Sequence, residues 1–444
     1  MIRLTARIAL LAALFALAAC DTLNDTFFGA PEEAPLPGQR LPVLQQVAGI
    51  EPDPGLAGIA PTLPDPVENV DWPQSGGLPS HMIGHPALGK SLTRSWSADL
   101  GTGEDNEHQI LSGPVVAANH VYAMDGEARV SAFDLTSGRR VWQTVLKPKH
   151  EDDRYFGGGV AYDNGRIFVT TGFARVYALD AETGKVVWEA PAAAPIRAAP
   201  TVADGRVFAI TLENQLVVLS EADGHELWTH SGLTEGTGII GGASPAVSGP
   251  IVIAPYSSGE LFAIRAENGR VLWSESMSPV ERVSAVSVLA DISGRPVIDH
   301  DIVFATSHAG RSVAIELRRG VRNWDLNTGG TSDPWIAGDT IFLVTKDAQI
   351  LAATRDEGRV RWLQQLAHYR NEKEKAGPIT WAGPVLAGGL LYVVSSEGQM
   401  LALSPNDGSV AATYQLPAGS RIAPVVASST LLVVTRSGYL IAYH

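Results

Sequence analysis

One eleven-residue stretch, repeated, limits what this chain can fold into more than any other feature of its sequence. AFDLTSGRRVW, Ala132 to Trp142, recurs as ALDAETGKVVW (178–188), AIRAENGRVLW (263–273), AIELRRGVRNW (314–324) and AATRDEGRVRW (352–362). VLSEADGHELW (218–228) is a looser copy, and ALSPNDGSVAA (402–412) keeps all but the tryptophan. Ala442-Tyr443-His444 matches the start of an eighth. A period of roughly 40–50 residues marks a repeat architecture, in which each unit buries its apolar face against its neighbours.

Each unit holds three short apolar runs, then a Gly turn and a fourth run that carries the tryptophan. In one copy these are Pro245-Ala-Val, Ile251-Val-Ile-Ala, Glu260-Leu-Phe-Ala-Ile and Gly269-Arg-Val-Leu-Trp273. Short β-branched and apolar runs bounded by Gly, Asn, Asp and Ser predict strands, and Asn268-Gly269, Asp223-Gly224 and Asp407-Gly408 predict tight hairpins. From Pro114, Pro200, Pro245, Pro296 and Pro334 the tryptophan follows 28 residues later, as Ala412 follows Pro384 and Trp188 follows Val160. The unit is therefore copied without insertion, and the length variation falls between a tryptophan and the next proline. An eighth unit starting at Pro424 would place its tryptophan past His444, while an orphan strand, Ser91 to Trp96, stands at the other end. Letting that strand complete the last unit closes the ring and leaves no open seam. The expectation is an all-β, eight-bladed β-propeller of four-stranded antiparallel blades over residues 89–444, closed by the N-terminal strand.

The motif's chemistry is that of packing. A small residue six before the Gly (Ala in every copy but that of Val218) makes room for a flat ring. The Gly exposes a bare peptide face, and the ring buries on the order of 200 Å². This resembles the tryptophan-docking motif, Ala-x-Asp-x-x-x-Gly-x-x-x-Trp, of the pyrroloquinoline-quinone-type propellers. The resemblance implies that Trp96, Trp142, Trp188, Trp228, Trp273, Trp324 and Trp362 clamp adjacent blades.

The N-terminal part is different material. Arg3 and Arg7 precede twelve uncharged residues, Ile8 to Ala19, too short to span a membrane and suited to a secretory signal. The segment ends in Leu17-Ala18-Ala19-Cys20, which resembles the lipobox of bacterial lipoproteins. That resemblance implies cleavage after residue 19 and lipidation of Cys20, the sole cysteine of the chain. Several acyl chains together would anchor the protein firmly to a membrane. Residues 20–88, rich in proline, predict an extended tether, whose Trp72 could dock on the folded body. His81 and His85 are spaced for a metal on a helix, but Pro79, Gly84 and Pro86 argue against a helix, so no metal is expected.

Formal net charge is −14 and no basic run occurs, which excludes nucleic-acid binding of the usual electrostatic kind. Two function classes share this fold. Quinone-dependent dehydrogenases carry vicinal cysteines, calcium ligands and a catalytic Asp; here the propeller has no cysteine and no such constellation, so neither catalysis nor a cofactor is expected. The alternative classes are a dehydrogenase-like periplasmic enzyme and a scaffold of another envelope complex.

Lipobox, tether and lone propeller together resemble the BamB family, lipoproteins of the outer-membrane β-barrel assembly machinery. Trp72-Pro73-Gln74-Ser75-Gly76-Gly77 and Leu289-Ala-Asp-Ile-Ser-Gly-Arg-Pro-Val297 are similar to alphaproteobacterial members. The family implies a non-catalytic scaffold in the outer membrane, facing the periplasm. Its implied partner is the barrel-forming subunit, bound at the polypeptide-transport-associated domains. Glu281-Arg282-Val283-Ser284, in one of the longest connections, resembles the family's acidic-Arg-Leu-Ser element. Ala285 and Ser287 stand where the family has acidic residues, and Ile239 and Ile240 where it has Leu and Arg. Partner contact is expected at Ile239, Ile240, Glu281 and Arg282. Asp21, after the lipidated Cys, leaves inner-membrane retention open, since Asp there retains lipoproteins in enteric bacteria.

Overall fold

The computed structural model describes residues 50–149, 156–234, 240–278 and 291–444. Eight four-stranded antiparallel sheets form the blades of a propeller. Blade 1 runs from Val115 to Val145, blade 2 from Gly158 to Pro191, blade 3 from Thr201 to Ser231 and blade 4 from Ala246 to Ser276. Blade 5 runs from Val297 to Leu326, blade 6 from Trp335 to Gln365 and blade 7 from Trp381 to Gln415. In blade 8, strands Val425–Ala427, Thr430–Val434 and Tyr439–Tyr443 are joined by Arg94–Asp99 as the outermost strand. Trp96 pairs with Ala442, and Thr93 and His444 exchange backbone hydrogen bonds of 2.7 and 2.9 Å. The predicted closure is the observed one.

Burial explains why the apolar runs are continuous in the middle strands and alternate in the outer one. Thr340–Val344 and Ile251–Pro255 are buried throughout, because neighbouring blades cover both faces. Outer strands such as Arg140–Val145 line the rim and are largely exposed. The Ala of each motif lies directly opposite its own tryptophan, as in Ala263↔Trp273, and a bulge follows at once. The same pairing and bulge recur in blades 1, 2, 5 and 6, and at Val218↔Trp228 in blade 3. Bulges of this kind increase local twist, which turns the Gly hairpin toward the preceding blade.

Each tryptophan reaches across to the next blade. A Cβ on Gly320 would lie 2.6 Å from Trp273 Cγ, so only a bare peptide fits beneath the ring. The indole then donates to the carbonyl three residues before that Gly, as in Trp273 Nε1 to Leu317 O (2.7 Å) and Trp324 Nε1 to Arg355 O (2.8 Å). Trp96, Trp142, Trp188, Trp228 and Trp362 do the same to Leu135, Ala181, Glu221, Ala266 and Pro405. Blade 7 has Ala412 in the tryptophan's place. Its neighbour, blade 8, takes its outer strand from the other end of the chain and so has no Gly hairpin there to receive a ring. Leu88 and Leu92, both buried, cover that joint, and the Leu92 N–H reaches Tyr414 Oη at 3.5 Å.

Residues 50–88 need a correction to the tether reading. The segment is extended, as its prolines dictate, but it lies on the blades rather than free. Asp53 pairs with Arg359 (2.8 Å), and Thr62 exchanges hydrogen bonds with Asp339. Residues 69–86 then pass round the central channel and meet every blade in turn. Asn69 bonds Val426 and Ser428 of blade 8, Trp72 bonds Val116 of blade 1, and Pro73 O accepts from Tyr162 N of blade 2. Gln74 bonds Val202 of blade 3, Pro79 O accepts from Val247 N of blade 4, and Ser80 O from Ile298 N of blade 5. Gly84 O accepts from Trp335 Nε1 of blade 6, and Pro86 O from Gly388 N of blade 7.

Candidate interaction face

Among the described residues, the connections between blades, the variable part of the sequence, gather on one face together with the hairpins that join the second and third strands. There the central channel opens as a funnel with about 140 Å³ of space, lined by Trp72, His81, Arg295, Asp333, Trp335 and Arg421 among others. Its floor is the 69–86 strap. Trp72 and Trp335 stack with centroids 6.2 Å apart and planes at 22°. Arg295 grips Asp333 through its backbone N–H (2.6 Å) and guanidinium Nε (2.8 Å), and also reaches Ser75 Oγ.

His81 is buried below this pair. Pro296 O can only accept, so His81 Nδ1–H donates to it (2.7 Å) and Nε2 carries the lone pair. Nε2 has no hydrogen-bond partner among the described residues. Burial first, and Arg295 second, lower its pKa to about 4, so the ring is neutral at ordinary pH. His85 is held likewise, donating from Nδ1 to Pro64 O (2.7 Å) and accepting at Nε2 from Gly389 N (2.8 Å). The two histidines thus serve separate backbone contacts. Among the described residues no three His, Cys, Asp or Glu side chains converge as a metal site would require.

Of the sequence-predicted contact residues, the structure places Ile240, which is 59% exposed beside blade 3. Ile239, Glu281 and Arg282 lie outside the described residues, as do Cys20 and Asp21. Two further apolar side chains on the same face were missed by sequence reasoning: Leu212, 41% exposed, and Leu233, 65% exposed. Leu233 is positioned by buried Asn214, whose Nδ2 donates to Leu233 O (2.6 Å), and by Glu260, which accepts from Leu233 N (2.7 Å). Asn214 Oδ1 accepts from Ser257 N (2.9 Å), tying this hairpin to blade 4. The legible signal was an apolar residue in a connection whose neighbours are polar. Exposed apolar groups set on an anchored backbone suit protein contact better than chemistry.

Comparison with known proteins bears on the family. The profile described as outer membrane protein assembly factor BamB matches residues 89–155, 126–364 and 367–444. The chain belongs to the BamB family. The Yersinia pestis protein named outer membrane protein assembly factor BamB is 30% identical over 358 residues, covering 80% of this chain and 89% of that one. The solved structure of BamB from Moraxella catarrhalis superposes with a TM-score of 0.67 at 19% identity, covering 80% of this chain and 100% of that chain. A europium-containing methanol dehydrogenase also superposes, with a TM-score of 0.65, 16% identity and coverage of 82% and 89%. At such identities both superpositions speak to the fold alone. A family member and an enzyme match this propeller about equally well, so the blades do not separate the two activities.

Proposed function

We propose that the chain is a non-catalytic scaffold of the outer-membrane β-barrel assembly machinery. It would be lipidated at Cys20, anchored in the outer membrane on the periplasmic side, and docked on the barrel-forming subunit to assist assembly of outer-membrane proteins. The observation that carries this is the family match, which runs through the whole propeller, hairpins and connections included. The face bearing Ile240, Leu212 and Leu233 supports it, since it offers exposed apolar contacts on an anchored backbone. The polypeptide-transport-associated domains of the barrel-forming subunit are the proposed partner surface.

Crosslinking in intact cells, followed by identification of what the propeller touches, tests the partner. The barrel-forming subunit is the expected product; its absence among the adducts would sink the reading. Charge reversal of both Glu281 and Arg282 should weaken recovery of that subunit in a pull-down, and unchanged recovery would remove these residues from the interface. Density-gradient separation of the membranes should place the protein in the outer fraction, with the inner fraction as the opposing result that Asp21 allows. Cys20→Ser should release it from membranes altogether.

A further inference from the structure

Five consecutive blades present the same group to the central channel. It is the backbone N–H two residues after the unit's first position: Val116, Tyr162, Val202, Val247 and Ile298. These belong to, or lie at the inner edge of, the innermost strands, which have no strand partner on the channel side. Left uncapped they would be unpaired donors in a ring, at a cost for each that burial makes substantial. Every one is met by the strap, through the carbonyls of Trp72, Pro73, Pro79 and Ser80 and through Gln74 Oε1.

The complementarity is chemical as well as geometric. The ring offers these five donors, and also acceptors such as Val116 O, which takes the Trp72 N–H (2.7 Å). Among the strap's answers to the donors are proline carbonyls, at 73 and 79, with Pro86 O doing the same for Gly388 N of blade 7. Proline has no N–H, so those residues bring an acceptor to the channel without adding a donor that would need its own partner. Specific side chains lock the register. Trp72, Gln74, His81 and His85 are each at most 7% exposed, and Gln74 bonds two blades, donating to Tyr162 O (3.3 Å) and Val202 O (3.2 Å). We infer that the channel is a receptor for an extended, proline-rich peptide, filled in cis by residues 69–86, so that ring and strap are a receptor–ligand pair within one chain. The site reads backbone, in the manner of strand addition to a free edge, and its order of contacts follows the order of the blades.

A protease site inserted between Gly89 and Lys90, both exposed, tests this in the detergent-purified full chain. After complete cleavage the N-terminal fragment should co-elute with the ring in native buffer and separate only in denaturant. A labelled peptide spanning residues 67–88, added in excess during partial denaturation and refolding, should take its place. Separation in native buffer, with the ring's melting temperature unchanged, would overturn the inference. Hydrogen exchange on the unmodified chain gives an answer that needs no insertion. The amides of Val116, Tyr162, Val202, Val247 and Ile298 should be protected as a set, and fast exchange of all five overturns the proposal. Gln74→Ala should raise exchange at Val202 about tenfold, the worth of one hydrogen bond, and leave Val252 in a neighbouring blade unchanged.

Discussion

Seven of the eight joints between blades are fastened by a tryptophan, and one is not. The seven share one construction: an indole over a bare glycine, its N–H on a carbonyl of the next blade. The joint between blades 7 and 8 replaces this with Ala412, Tyr414 and the Leu88–Thr93 segment. The difference follows from how the ring closes. A docking tryptophan needs a Gly hairpin in the following blade, and blade 8 has none because its outer strand comes from the N-terminal side. The repeat therefore loses its tryptophan at the one position where the receptor for it is lacking.

The largest test of this contrast is Trp324→Ala, which should cost about 3–5 kcal/mol as a buried truncation. A melting temperature within error of the parent would refute the clamp. Next in size is acid. The neutral form of His81 contributes stability that is complete above the unfolded-state pKa of 6.5 and is lost as pH falls toward about 4. The effect amounts to about 3 kcal/mol at most. His81→Asn, which tolerates the local φ of 61°, should flatten the stability curve across that window; an unchanged acid slope would place the titration elsewhere. Because His81 belongs to the strap, this loss acts on all blades together rather than on one joint.

Gly320→Ala and Gly165→Ala make a matched pair. Both glycines have positive φ, +70° and +75°, but only Gly320 lies beneath a tryptophan ring. The first should cost about 2–3 kcal/mol from strain and overlap, the second about 1 kcal/mol from strain alone. Equal costs in chemical denaturation would mean that the ring and the glycine are not in contact. The smallest effect should come from Ala412→Trp. With no hairpin to receive it, the added indole should change stability by no more than about 0.5 kcal/mol, and a gain on the scale of the other clamps would show a hidden receptor.

What the sequence revealed and what it concealed divide along the same line. Blade number, strand order and closure were legible because packing between identical neighbours forces identical side chains at fixed spacing. The Ala–Trp pairs and the Gly beneath each ring are read directly from seven aligned copies. The strap occurs once, and most of its bonds come from backbone carbonyls, which any residue supplies. Nothing in Pro73 or Pro79 distinguishes a docked proline from one in a free linker. Trp72 alone hinted at docking. Arg295 and Asp333, which frame the funnel, are 38 residues apart and carry no motif that links them. Leu212 and Leu233 are single apolar residues in connections, a pattern shared by many residues of no consequence.

The pairing of Trp96 with Ala442 has a bearing on timing. Strand Arg94–Asp99 is among the first parts of the propeller to be synthesised, and its partner strand, Tyr439–Tyr443, is the last. During synthesis the early strand must wait, edge exposed, until nearly the whole propeller has been made. Contacts so distant in sequence form slowly, and an unpaired edge invites association with other chains in the interval. A ring closed in this way stays open to such association for longer than one whose last blade is built from consecutive strands. Its final strand is then the step that commits the ring.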